Sequence, residues 1–245
     1  MAARRNQEAV SQRDLEDSRD KVSYGSERRS RKFTEHVRRL TAYHEAGHTL
    51  LALHNEYCTP VHKVTIIPRG QAFLGATFTM PKEDVYTKSR LELEAEMAMA
   101  MGGRAAEELV IGDISTGASA DIEHLSAIAR QMVCLFGMSE KLGPIKFGDS
   151  PHRARAMFDI PQHEQFSPET AREIDLEVRA LVMKAMNEAR DCLKKHRDEL
   201  EKLAQALLER ETLSIDEINE LLGLTPKTVV AESVAGESSE STVLG

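Results

Sequence analysis

The sequence has 245 residues, 41% of them hydrophobic and 29% charged, and carries a formal net charge of -8. That supports one large domain or two small ones, with an aliphatic core because Trp is absent and aromatics reach only 4%. An acidic balance without a Lys/Arg cluster that would track a phosphate backbone argues against nucleic acid as a partner, and no apolar run approaches the ~20 residues that span a membrane.

Residues 1–32 are highly charged, ending in Arg28-Arg-Ser-Arg-Lys32. Leu15 and Val22 lie seven apart, as on a short amphipathic helix capped by Ser11. The next helix is expected from about Thr34 to Leu53. Its apolar stripe is Leu40, Tyr43, Ala46, Leu50 and Leu53. Cys58-Thr-Pro60 ends it. His62 to Pro68 alternates and is rich in β-branched residues, and Leu74 to Pro81 reads as a second strand beyond the turn at Arg69-Gly70. The two make a small antiparallel sheet.

Ser89 and Glu92 form a capping box that opens a helix running to Met101. Gly102-Gly103 is expected to interrupt that helix before a further turn or two up to Val110. Ile114 to Asp121 is a polar turn feeding a helix whose apolar face is Ile122, Leu125, Ile128, Met132 and Leu135, closed by Gly137. Residues 138–166 form a long connection of the functional or mobile kind. Ser167-Pro168 caps a helix carrying Ile174, Val178, Leu181, Ala185 and Leu193. A helix with Leu200, Leu203, Leu207 and Leu208 follows. Ser214 and Glu217 box a last short helix that Gly223 ends. The tail 226–245 is Ser/Glu/Val/Gly-rich and expected to be disordered. Cys58, Cys134 and Cys192 are far apart and form no C-x-x-C, so free thiols in a reducing compartment are expected.

The chemistry concentrates in the first long helix, where His44, Glu45 and His48 spell H-E-x-x-H. Residues four apart share a helix face, so both imidazoles reach one metal ion. This is the zinc-metalloprotease signature, with Glu45 as candidate general base. A catalytic zinc takes a third protein ligand. His54 has the H-E-x-x-H-x-x-G-x-x-H spacing, but Leu51 stands where that motif has its helix-breaking Gly. Six helical residues turn about 600°, so His54 points about 120° away from His48 and reads as a surface or helix-end histidine. Glu92, Glu94 and Glu96 lie on a charged stripe; Glu107 and Glu108 follow the glycine pair. Asp121 sits in the first turn of its helix behind a Gly/Ser-rich turn, where an Asp also serves simply to complement the helix dipole. Spacing leaves this choice open. Gly47 in mid-helix suggests close approach of another element near the metal.

Four blocks then resemble one family in order. They are Arg39-Leu-Thr-Ala-Tyr-His-Glu-Ala-Gly-His48, Val64-Thr-Ile-Ile-Pro-Arg-Gly70, Gly102-Gly-Arg-Ala-Ala-Glu-Glu-Leu109 and Ser115-Thr-Gly-Ala-Ser-Ala-Asp-Ile-Glu123. They look like the peptidase domain of the FtsH family, the membrane-bound, ATP-dependent AAA+ zinc metalloproteases. Gly137-Met-Ser-Glu-Lys-Leu-Gly143 fits as well.

The resemblance implies Zn2+ held by His44, His48 and Asp121, with Glu45 as base. It implies a mainly α fold with a small antiparallel β-sheet, in which a zincin-like metal helix precedes a helical C-terminal half. Gly75, Ala76, Thr77 and Phe78 lie on the candidate substrate strand, an edge strand that would pair with extended peptide. Residues 1–30 resemble the remnant of an AAA+ lid helix and linker, 31–225 the peptidase domain. A G-x-x-x-x-G-K-S/T P-loop is absent, so the chain is expected to be the C-terminal part of a longer protein, or a stand-alone peptidase, acting on unfolded polypeptides without ATP. The family's partners would be five further copies in a homohexamer and an AAA+ unfoldase normally in the same chain. The rival expectation is a non-catalytic helical hexamerisation module with a relict metal site.

Overall fold

A computed structural model describes residues 33–68, 74–80, 86–148 and 166–224, together with scattered positions between 9 and 25. The lid remnant expected at 1–30 falls largely outside the described residues. The turn at Arg69-Gly70, most of the 138–166 connection and the 226–245 tail fall outside them as well. At the described N-terminal positions Ser11 Oγ accepts from the Asp14 N–H at 3.2 Å, the expected N-cap pattern.

The described elements are helix α1 (Glu35–His54), strands β1 (Val61–Thr65) and β2 (Ala76–Thr79), and helix α2 (Arg90–Val110). A 3-10 turn (Thr116–Ala118) leads into α3 (Ser119–Cys134). Then come α4 (Pro168–Lys195), α5 (Arg197–Arg210), β3 (Thr212–Ser214) and α6 (Ile215–Leu222). The architecture is mainly helical with one small antiparallel sheet, as expected. Among the described residues no helix is long and apolar enough to cross a membrane.

Helix α1 is the axis of the fold. Thr34 starts it by accepting from the Val37 N–H, and everything from Thr41 to Ala52 is buried. That is more than the one stripe the sequence pattern asks for, because α2 and α5 cover two sides of α1 and the sheet reaches a third. Each fully buried Leu there contributes about 1.5–3 kcal/mol. Small residues set how near α2 comes. A Cβ built on Gly47 would lie 2.3 Å from the Gly102 carbonyl oxygen, and one on Gly102 would lie 2.7 Å from that of Gly47. The two backbones therefore touch.

This contact corrects the expected break at Gly102-Gly103, since α2 runs unbroken through both glycines. A glycine in a helix costs only about 1 kcal/mol against alanine. The packing of Ala98, Met101, Ala105 and Ala106 in the core offsets that cost.

The sheet also differs from expectation. It has three strands in the order β2-β1-β3, so β1 is central. Val64 faces Thr77 on one side and Leu213 on the other. Three residues are too few to show a period, so the sequence pattern marks no strand at Thr212–Ser214. Helix α3 buries Leu125, Ile128, Ala129, Met132 and Val133, whereas Ile122 and Leu135 stay exposed. Its apolar face is thus narrower and turned slightly from the expected one. The capping boxes at Ser89 and Ser214, the cap at Ser167-Pro168 and the left-handed Gly223 (φ 66°) form as expected.

Candidate metal centre

The buried middle of α1 brings His44 and His48 onto the face turned towards α2 and α3. Their Nε2 atoms lie 3.0 Å apart. Asp121, two residues into α3, completes the group: its Oδ2 is 3.2 Å from His44 Nε2 and 3.6 Å from His48 Nε2. The α2–α3 corner makes this possible, because the 3-10 turn at Thr116 delivers the first turn of α3 to the middle of α1. Of the carboxylates weighed in the sequence, Asp121 is the one brought to both imidazoles. His54 closes the far end of α1 and pairs with Glu199 instead.

The outer ring nitrogens determine what the inner ones do. His48 Nδ1 bonds the Met99 carbonyl at 2.8 Å, and a carbonyl only accepts, so Nδ1 carries the proton. His44 Nδ1 donates to Glu107 Oε1 at 2.7 Å. Both Nε2 lone pairs then point inward, at each other and at a carboxylate. Three electron-rich atoms at this distance call for a cation between them. A tetrahedral zinc with bonds of about 2.0–2.1 Å separates its ligand atoms by about 3.3 Å, close to the spacings found. The donor set and its geometry therefore fit zinc.

Glu107 supports the candidate centre, and the sequence reading passed over it as one of several carboxylates. It is 0% exposed. Its Oε2 accepts from the Ser115 N–H at 2.9 Å, so one buried carboxylate ties His44 to the turn that carries Asp121. The available signal was its place one helical turn after Gly103, between buried Ala105-Ala106 and the exposed Glu108. Gly103 completes the support, since a Cβ there would lie 2.5 Å from the His44 ring.

The electrostatics follow. Burial works to lower the His44 imidazole, but its bonds to Asp121 and Glu107 and the charge of Glu45 outweigh burial and push it up to about 10. Burial works to raise Asp121, and the two histidines overcome it and hold the carboxyl well below its usual range. The pocket thus favours one positive charge among these atoms, either a proton on His44 Nε2 or a cation that displaces it and meets the lone pair.

Glu45 stands beside His44, His48 and Asp121 and is 6% exposed. Burial pushes its carboxyl up, opposed by His48, His44 and a hydrogen bond from Thr77. Thr77 Oγ1 donates to Glu45 Oε2 at 2.9 Å. A Cβ on Gly75 would lie 2.7 Å from Glu45 Oε1, so only glycine lets this chain pass so close to the carboxylate. A cleft of about 690 Å³ opens over the group, lined among others by His44, Glu45, His48, Asp121, Gly75 and Thr77. Ala76 also lines it. Phe78 does not, and is 2% exposed. Among the described residues β2 pairs with β1 alone, so its other edge is not paired.

A sequence model of peptidase family M41 matches residues 31–221. Curated relatives are similar over nearly the whole chain. The "ATP-dependent zinc metalloprotease FtsH" of Magnetococcus marinus is 45% identical over 226 residues, covering 92% of this chain and 33% of that protein. "FtsH 2" of Methylacidiphilum infernorum is 46% identical over 222 residues, 91% of this chain and 34% of its own length. "FtsH 4" of Sorangium cellulosum is 47% identical over 225 residues, 91% and 35% respectively. The chain therefore spans about a third of the length of these relatives.

Proposed function

Because the chain belongs to peptidase family M41, we propose that it is a zinc metalloendopeptidase module acting on unfolded polypeptides. The observation that carries this reading is the buried carboxylate of Glu45 beside two inward-facing imidazoles and Asp121. His44, His48 and Asp121 are assigned as ligands and Glu45 as general base. Zinc, when bound, supplies a Lewis acid for the scissile carbonyl and acidifies the attacking water to a pKa of about 7. Glu45 takes the proton from that water and returns it to the leaving amine. Thr77 keeps Oε2 of Glu45 oriented during the transfer. Glu107 and the Met99 carbonyl hold the two imidazoles in the tautomer that leaves Nε2 free.

The edge of β2 that is unpaired among the described residues is the assigned substrate platform, with Gly75, Ala76 and Thr77 on the cleft and Phe78 anchoring the strand from its buried side. Backbone pairing to an edge strand is tolerant of sequence, which suits unfolded substrates. The relatives' names include ATP dependence, and the 245 residues contain no P-loop. We assign the remaining two thirds of such a protein to an AAA+ unfoldase and a membrane anchor, and the working assembly to a homohexamer in a reducing compartment. A purely structural hexamerisation module would have no use for Glu45 in its cleft.

The test is hydrolysis by the purified chain. It should contain zinc and cut an unstructured peptide, leave a stably folded protein intact, and show no change on adding ATP. Absence of peptide hydrolysis by a zinc-loaded hexamer would sink the peptidase reading.

A further inference from the structure

A second group of ligand-type side chains lies at the far end of α1, away from the cleft. His54 is the last residue of α1, His196 is the joint between α4 and α5, and Glu199 sits in the first turn of α5. Glu199 Oε2 accepts from His54 Nε2 at 2.7 Å, and Oε1 accepts from His196 Nδ1 at 2.8 Å. The two imidazoles stack with centroids 3.6 Å apart and 21° between planes. One ligand atom from each of the three lies within 4.8 Å of the others.

We propose that His54, His196 and Glu199 form a second transition-metal site, of which zinc is the reference ion, that pins the end of α1 to the α4–α5 joint. Two imidazoles and one carboxylate are a donor set that zinc accepts. Their side chains are 20%, 17% and 26% exposed, so water has access to supply a fourth ligand. Helices α1 and α4 both end here, and the negative ends of two helix dipoles favour a cation. Helix α5 begins here and opposes them, with Asp198 and Glu199 in its first turn countering its positive end. Of the neighbouring cations, Arg197 is turned away to the Leu109 carbonyl and Lys195 is exposed.

The geometry needs three adjustments. Ligand atoms on a tetrahedral zinc stand about 3.3 Å apart, so the present 2.7 and 2.8 Å contacts must open by about half an ångström. The rings must also swing out of their stack, because lone pairs in nearly parallel planes 3.6 Å apart do not meet at one ion; three half-buried side chains at helix ends allow those rotations. Each imidazole must also carry its proton on the other nitrogen, an exchange that solvent access permits. Glu199 is the anionic partner. Burial works to raise its carboxyl, and the bonds from His196 and His54 outweigh it and bring it below its usual value. Among the described residues the site holds no further carboxylate placed like Glu45, so its role is to clamp rather than to catalyse.

The site stands apart from the proposed peptidase centre and is tested apart from it. The chain is stripped with chelator, equilibrated with excess zinc and freed of unbound metal, and its zinc is counted per chain. Wild type should hold two equivalents. His54→Asn and His196→Asn should each hold one and still hydrolyse an unstructured peptide at the wild-type rate. Asp121→Ala should hold one, and Asp121→Ala with His196→Asn none. Cobalt(II) spectra of Asp121→Ala should show tetrahedral ligand-field bands that are lost in the double variant. One equivalent in wild type overturns the proposal without needing any variant. A second equivalent that persists in both His54→Asn and His196→Asn overturns it too, and marks that zinc as adventitious.

Discussion

Two histidine–carboxylate groups sit at the middle and the end of one helix, and they differ in what holds the rings. At the first, His44 and His48 meet edge to face at 82°, and Glu107 and the Met99 carbonyl take their outer nitrogens. At the second, His54 and His196 lie face to face, and Glu199 itself takes the nitrogens that would face a metal. Among the described residues no hydrogen bond holds the outer nitrogen of either of those rings. The first site is therefore preorganised before a metal arrives, with its lone pairs already aimed. The second must rearrange, which costs affinity. Preorganisation of the ligands, together with a spare carboxylate in a cleft, is what separates a reaction centre from a clasp.

The largest expected effect is loss of the first site altogether. His48→Ala or Asp121→Ala should remove its tightly bound zinc and bring peptide hydrolysis to background, read as zinc content beside rate. Zinc retained in Asp121→Ala when His196→Asn is also present would dissolve the contrast between the sites.

Next is Glu45→Gln, which keeps size and removes the base. Zinc should stay bound while hydrolysis falls about 10²–10⁴-fold, or about 3–5 kcal/mol of barrier. An unchanged rate would take Glu45 out of the mechanism.

Third is Glu107→Gln, which keeps an acceptor for His44 but removes the buried charge. Loss of such an outer partner typically costs about 10–100-fold in metal affinity or activity. Competition with a zinc chelator reads it. An unshifted affinity would show that ring orientation at the first site does not depend on Glu107.

Fourth is Gly47→Ala, which inserts a methyl group into the backbone contact between α1 and α2. Overpacking of this kind typically costs about 1–3 kcal/mol, or about 2–4 °C of melting temperature per kcal/mol in a domain of this size. Calorimetry at saturating zinc would show it, and an unchanged melt would mean that the two helices separate cheaply.

The smallest effect is His54→Ala at the first site. Its zinc and the rate of peptide hydrolysis should match wild type. Loss of hydrolysis there would mean that the two ends of α1 act as one centre.

The sequence by itself determined the features whose physics is local. His44 and His48 share a face because a helix repeats every 3.6 residues. Thr34, Ser89, Ser167 and Ser214 start helices because their oxygens reach backbone N–H groups two or three residues on. Gly223 ends a helix because it accepts a left-handed backbone. Those rules reached the metal helix, Glu45, and an alternating pair of strands.

Tertiary structure alone decided the rest. Spacing left Asp121 among several carboxylates; its approach to both imidazoles depends on a corner between α2 and α3 that no local period encodes. Glu107 is 63 residues from His44 in sequence and 2.7 Å from it in space. Gly102-Gly103 looks like a break until α1 is laid against it, and then becomes the place where two backbones touch. β3 is a strand only because β1 offers it an edge. In each case the deciding partner is distant in sequence. Propensity and periodicity describe neighbours along the chain, whereas ligand sets and close helix contacts depend on which surfaces the fold brings together.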